Sequence, residues 1–184
     1  RNGFVLGEGG GAVIIESEEA MKKRGAVPLA ELLGCANNTD AFNPVSPDPE
    51  GKGAAACMKL ALADAALAPE QIDYINAHGT ATKAGDIAES SAIKDVFGER
   101  PVFVSSTKGM TGHMMGGGGL VEVIACVQAI RDGHMPVNVG FEKADPACAL
   151  NVVSDVNCMY DVKIAMSNAL GFGGQNSSII IGKV

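Results

Sequence analysis

Residues 72–106 read IDYINAHGTATKAGDIAESSAIKDVFGERPVFVSS, and the order of patterns within them decides the fold. IDYINA is a short β-branched and aromatic run, the composition of a strand. The polar segment HGTATKAG leads into a predicted helix from about Asp86 to Phe97, with Gly98 as its stop signal. PVFVSS then reads as a second strand. Strand, helix and strand in close succession predict a layered α/β domain with a mainly parallel central sheet.

The flanks extend the alternation. Upstream, Gly51–Leu67 carries Ala54, Met58, Leu62 and Ala65 at the spacing of one helix face. Before it, NNTDAFNPVSPDPEG is loop by its Pro, Asn and Asp content, and a strand is predicted from Leu29 to Leu33. Downstream, Gly118–Ile130 reads as a helix apolar on nearly every face. A loop-rich stretch with weak strands follows, then the closing strands KIAMSNAL and SSIIIGK.

At its start the chain opens on Arg1 and enters a strand-like run at once, so it is expected to begin in mid-structure. Phe4–Leu6 and Ala12–Ile15, joined by glycines, predict a hairpin, and a basic helix is predicted around Glu18–Arg24. GEGGGAVII at Gly7 and GFGGQNSSIII at Gly171 share a G-x-G-G turn and a returning β-branched strand. They read as an internal repeat in which each hairpin closes one α/β unit.

Composition narrows the function. The chain has 184 residues, 47% of them hydrophobic, which is ample for a core, and a net charge of −7. With no Trp and no Lys/Arg-rich block, nothing would neutralise a run of phosphates, and nucleic acid is excluded as a partner. The apolar stretch Leu120–Ile130 is interrupted by Glu122 and is too short to span a bilayer, and no leader pattern opens the chain. A cytoplasmic protein without a membrane partner is expected. Cys35, Cys57, Cys126, Cys148 and Cys158 show no CxxC spacing, and they predict reduced, buried thiols with no metal site.

One cluster needs a chemical explanation. Glu122 lies in the apolar helix, and a buried carboxylate requires a partner. Lys108, upstream on the strand-to-helix connection, is the candidate. His113 lies near the start of that helix, where the positive end of the dipole keeps an imidazole neutral and able to donate a hydrogen bond. Gly116–Gly119 leave room for backbone or ligand to approach closely. His78 follows the strand IDYINA directly, with the hydroxyls of Thr80 and Thr82 beside it. The carboxyl ends of strands are where α/β sheets bind ligands, and His78, Lys108 and Phe172 are all expected there.

These segments carry a family resemblance. NAHGTAT, SSTKGMTGH followed by GGGGLVEV, and SNALGFGGQNSSIII resemble the C-terminal half of an elongating β-ketoacyl-acyl-carrier-protein synthase, a thiolase-fold condensing enzyme. RNGFVLGEGGGAVIIE and PDPEGKGA resemble the same family in the same order. The resemblance implies an α/β, thiolase-like fold: a mainly parallel five-stranded mixed sheet covered by helices, one half of a duplicated architecture. Residues 1–28 would be the last hairpin and linker helix of an N-terminal half, and residues 29–184 the C-terminal thiolase-like half.

The implied activity is decarboxylative Claisen condensation of malonyl-carrier protein with an acyl-enzyme in fatty acid biosynthesis. His78 and His113 would hydrogen-bond the malonyl thioester oxygen, with Lys108 and Glu122 as ion-paired support for the second histidine. Thr80 and Thr82 would bind the phosphopantetheine arm, and Phe172, between Gly171 and Gly173, would gate the acyl pocket. No cofactor is implied beyond the phosphopantetheine of acyl carrier protein. The implied partners are that carrier, the N-terminal half, and a second copy in a homodimeric parent enzyme.

The sequence departs from the family pattern at several points. The acylated cysteine lies in a short motif similar to T-A-C-S-S, which this chain lacks, and Cys57 in AAACMKLAL reads as a core residue, so condensation by the chain alone is not expected. Gly109 stands where Ser or Ala is common, Lys83 where Pro is common, and Val45 where a pantetheine-contacting Thr is often found. The alternatives are a catalytically silent chain-length-factor-like partner, a polyketide ketosynthase half, or a thiolase. Retention of both histidines argues against the first, and the absence of a cysteine in NALGFGGQN against the last.

Overall fold

In a computed structural model describing residues 2–184, a twisted mixed sheet separates two helical layers. Arg1, the first residue of the amino-terminal motif and of the expected segment 1–28, lies outside the described residues. In chain order the elements are α1 (Glu18–Lys23), β1 (Glu31–Thr39), α2 (Lys52–Asp64), β2 (Tyr74–Asn76), α3 (Lys83–Phe97), β3 (Phe103–Ser105), α4 (Lys108–Thr111), α5 (Gly118–Asp132), β4 (Asn151–Val152), β5 (Ile164–Gly171) and β6 (Gln175–Gly182).

The strands lie in the order β1-β6-β5-β2-β3-β4. The β5–β2, β2–β3 and β3–β4 pairs are parallel, and the β1–β6 and β6–β5 pairs antiparallel. The expected mixed sheet is therefore present, with the two-residue β4 as a sixth, edge strand.

Period-two alternation sends neighbouring residues to opposite faces. Ile75, Met166 and Ile180 pack under α2 and α3 with Met58, Leu62 and Ile93. Their chain neighbours Tyr74, Ala165 and Ile181 pack on the other face with Cys126 and Ile130 of α5. Each fully buried Ile or Met contributes about 1.5–3 kcal/mol of transfer free energy.

Several expectations need correction. Phe4–Leu6 and Ala12–Ile15 form no hairpin with each other. Leu6 instead makes a single parallel bridge with His113, and Val5, Ile14 and Ile15 are exposed. A two-stranded ribbon with no layer to pack on is marginal in water, so only the second copy of the repeat, β5–β6, is a paired hairpin. Helix α5 is buried along one stripe, Glu122, Cys126, Ala129 and Ile130, whereas Ile124 is exposed. Strand β1 runs on through Asn37–Thr39, expected to be loop, because these residues pair with Ser177, Asn176 and Gln175 of β6. Helix α3 starts at Lys83, three residues before the expected Asp86. Of the five cysteines, Cys57 and Cys126 are buried, but Cys35, on the open side of β1, is exposed.

Helices α2 and α3 meet at Gly51, which precedes α2 with φ of 67°, in the left-handed region. A Cβ there would overlap the Ala88 carbonyl oxygen. Gly51→Ala is therefore expected to destabilise the fold by at least about 1–3 kcal/mol, measured as a lowered urea midpoint. An unchanged midpoint would show that the two helices do not meet at this point.

Candidate active site

The carboxyl ends of the parallel strands β5 and β2, together with the end of β1 and the start of β6, open onto one cavity of about 830 Å3. β2 delivers His78, the loop after α4 delivers His113, and the β5–β6 turn delivers Phe172. Thr80, Thr82, Gly171, Val45 and Met115 also line it. Gly173, at φ 83°, makes the turn that carries Phe172 and donates its N–H to the Pro44 carbonyl at 2.7 Å. Phe172 itself is 66% exposed.

His78 and His113 meet edge to face, with ring centroids 5.3 Å apart. Burial, the Lys108 charge and the neighbouring His113 push the His78 pKa down to about 3. His113 is lowered by burial and then by Lys108. The expected dipole cause does not hold. Helix α5 begins at Gly118, a short 3-10 turn intervenes, and the dipole effect fades within a turn. The Met115 N–H donates to His113 Nδ1 at 3.1 Å, so in the neutral ring Nε2 carries the proton and is the donor. His78 Nδ1 is buried without a hydrogen-bond partner among the described residues.

Lys108 Nζ and Glu122 Oε1 form an ion pair, with side chains 7% and 3% exposed. α4 caps the end of β3 and α5 crosses behind it, so two segments fourteen residues apart are tied by one buried contact. The pair lies behind the histidines, and only Lys108 acts on both rings, through its charge. Thr80 and Thr82 share a hydroxyl–hydroxyl bond of 3.0 Å on the cavity wall.

Within the run 116–119, Gly117 is approached by backbone, whereas Gly116 and Gly119 have open space beside them and Gly116 lines the cavity. A Cβ at Gly117 would overlap the Gly9 carbonyl oxygen, and one at Gly112 would stand 2.8 Å from Gly7 Cα. The amino-terminal arm lies against this run, with His113 N–H donating to the Val5 carbonyl at 2.7 Å and Gly7 N–H to the His113 carbonyl at 3.1 Å. The arm's Phe4 ring stacks edge-on against His113 at 5.3 Å. Gly109 likewise has a packing reason, since a Cβ there would sit 2.7 Å from the Val139 carbonyl oxygen.

Sequence reasoning missed three carboxylates. Glu89 of α3 is buried and accepts the His78 N–H at 2.8 Å and the Gly79 N–H at 2.9 Å. Asp86 accepts the Ala81 N–H at 3.1 Å. Their i, i+3 spacing at the start of the helix that follows His78 was the available signal. Asp40 accepts the Asn176 side-chain amide at 2.6 Å and donates its own N–H to the Gly174 carbonyl at 2.8 Å, tying the Phe172 turn to loop 40–51. Nothing local in the sequence marks that contact.

Two measurements test this geometry. Lys108→Met strands Glu122 without its partner and is expected to cost about 3–5 kcal/mol, most of it recovered in the Lys108→Met/Glu122→Met double variant. Equal stability of single variant and parent in denaturant would show that the pair does not form. The folded pKa of His78 lies near 3 against 6.5 for a free ring, so the unfolded chain takes up its proton first on acidification. Stability from this group is complete above about pH 6.5 and is withdrawn toward pH 3. His78→Asn removes that limb from the pH dependence of the Tm, and an unaltered limb would place His78 in open solvent.

Comparison with known proteins places this geometry. Residues 29–142 match the profile of the β-ketoacyl synthase C-terminal domain. The chain is 45% identical over 186 aligned positions to a 3-oxoacyl-[acyl-carrier-protein] synthase 2 of Coxiella burnetii, covering 100% of this chain and 45% of that protein. It is 47% identical to the chloroplastic synthase II of Arabidopsis thaliana, covering 98% of this chain and 34% of that one. Among solved structures, the ishigamide ketosynthase/chain length factor superposes with a TM-score of 0.95 at 40% identity, over 98% of this chain and 44% of that one. A type II polyketide ketosynthase in complex with its acyl-carrier protein superposes at 0.96 and 36% identity, over 100% of this chain and 46% of that one. The chain thus spans less than half the length of these relatives.

Proposed function

The chain belongs to the β-ketoacyl synthase family, and from that premise we propose that it is the C-terminal half of a 3-oxoacyl-acyl-carrier-protein synthase that elongates acyl chains in fatty acid biosynthesis. The observation that carries the reading is the pair of imidazoles held below their ordinary pKa on one wall of the cavity. As the malonyl C–C bond breaks and carbon dioxide leaves, its electron pair moves onto the thioester, and the resulting enolate oxygen is stabilised by N–H donors from His78 and His113. The enolate carbon then attacks the acyl thioester, and a cysteine thiolate departs. Donors that carry no charge before the reaction hold the oxyanion without first stabilising the malonyl carboxylate.

In this reading the substrates arrive on the phosphopantetheine arm of acyl carrier protein, which passes Thr80 and Thr82, and the enzyme needs no cofactor of its own. Phe172, exposed on a turn whose backbone is tied to loop 40–51, stands at the entrance to the acyl pocket. The nucleophilic cysteine comes from the N-terminal half. In support, none of this chain's five cysteines lines the cavity among the described residues, and burial raises the pKa of both Cys57 and Cys126. The exposed apolar residues Ile14, Ile15, Val27, Leu29 and Leu32 are the surface on which that half and a second copy would pack. Five free cysteines accord with the cytoplasm as the site of action. The chain-length-factor-like alternative is not favoured, since both histidines are present and the curated relatives are synthases.

In the full-length enzyme, His78→Ala and His113→Ala are each expected to slow malonyl-carrier decarboxylation by about 100- to 1,000-fold. Near-parental decarboxylation by both variants would remove the assignment.

A further inference from the structure

A second cavity, of about 400 Å3, lies beside the first and has no part in the chemistry described so far. Phe4, Thr80 and His113 line both, so the partition between them is one edge-on pair of rings and one threonine. The rest of its wall comes from three short stretches: 3–6 of the amino-terminal arm, 79–81 after β2, and 108–113 of α4 and the loop that follows. Gly3, Gly79, Ala81, Gly109 and Gly112 bring no more than a methyl group each, which keeps the space open. Val5, Leu6 and Met110 line it and are exposed, so it reaches the surface without passing Phe172 or Val45, which line only the first cavity.

The wall offers little to a charged ligand. The Lys108 ammonium is already paired with Glu122. Of the backbone donors, the Gly79 N–H is taken by Glu89, the Ala81 N–H by Asp86, the Gly112 N–H by the Lys108 carbonyl and the His113 N–H by the Val5 carbonyl. The Thr80 hydroxyl is shared with Thr82. An anion such as bicarbonate would give up hydration here that these groups do not return, whereas a small uncharged molecule with no donor to satisfy loses little.

We propose that this second cavity receives the carbon dioxide released from the malonyl group and passes it to solvent. The inference rests on the decarboxylation assigned to the site above. When the C–C bond breaks, its electron pair stays with the thioester enolate at the two histidines, and carbon dioxide departs neutral, with no proton or further reactant involved. The carrier's arm, passing Thr80 and Thr82, then fills the first cavity and closes the way in to the leaving molecule. Carbon dioxide that stays beside the enolate is recaptured by the reverse of the same step, so its removal across the Phe4–His113 partition commits the enolate to attack on the acyl thioester. Phe4 is 38% exposed, and side chains this open change rotamer on a picosecond-to-nanosecond scale, so the partition does not seal.

Crystals of the full-length enzyme pressurised with carbon dioxide are expected to hold it in the second cavity, against Met110 and the backbone of 79–81. Met110, exposed on α4, gives the functional test. Met110→Trp fills the cavity and is expected to slow malonyl-carrier decarboxylation by about 10-fold. It is also expected to lower the carbon isotope effect on that step, as recapture competes with escape. Transfer of the acyl group from carrier to cysteine, which makes no carbon dioxide, is expected to stay at the parental rate. Met110→Ala, which widens the cavity, is expected to match the parent in all three. A cavity that stays empty under carbon dioxide overturns the proposal. So does a filled cavity beside parental decarboxylation in Met110→Trp, which would mean binding at crystal concentration only. The pressurised crystal of the parent decides the point if Met110→Trp does not fold. A parent enzyme that releases no carbon dioxide from malonyl-carrier protein overturns instead the reading on which the inference rests.

Discussion

A lysine and a glutamate removed from water together hold the site. Each ion alone would lose several kcal/mol of hydration on burial, so the Lys108–Glu122 contact forces α4, at the end of β3, against α5. Its consequences extend beyond the two residues. With water displaced, the Lys108 charge acts over a longer range, disfavouring protonated His78 and His113 and favouring ionised Glu89. Burial is the larger cause of the lowered imidazole pKa values and the Lys108 charge adds to it, whereas at Glu89 that charge opposes the burial that raises the carboxyl pKa.

The rest of the site is built largely from backbone. Glu89 and Asp86 hold the His78 loop by its N–H groups, Met115 sets the His113 tautomer through its N–H, and the amino-terminal arm hydrogen-bonds to both backbone groups of His113. The close contacts between Gly7, Gly9, Gly112 and Gly117 make the last arrangement possible, because any Cβ there would overlap main-chain atoms or, at Gly9, the Met114 sulfur. Backbone donors move little once a fold is set, so a site built on them is preorganised for charge that develops during reaction.

Two parts of the chain are less enclosed. The arm reaches His113 but leaves Val5, Leu6, Ile14 and Ile15 exposed, and α5 turns Ile124 outward. Its motif has the alternation of a strand without the sheet that a strand needs. This chain covers less than half the length of each relative described above.

The sequence by itself determined the alternation of strands and helices, the placement of His78, Lys108 and Phe172 at strand ends, and the Lys108–Glu122 pairing. These follow from hydrophobic period, turn residues and the need of a buried charge for a partner, all of which act over a few residues or leave one candidate. Strand β1's extension through Asn37–Thr39, the arm's contact with His113 and the grip of Glu89 on the His78 loop were decided only by tertiary structure. So was the cause of the low imidazole pKa values, where burial and Lys108 act instead of the helix dipole. Each depends on which backbone donors lose water and which acceptors, distant in the chain, arrive to replace it, and local sequence carries no record of that arrangement.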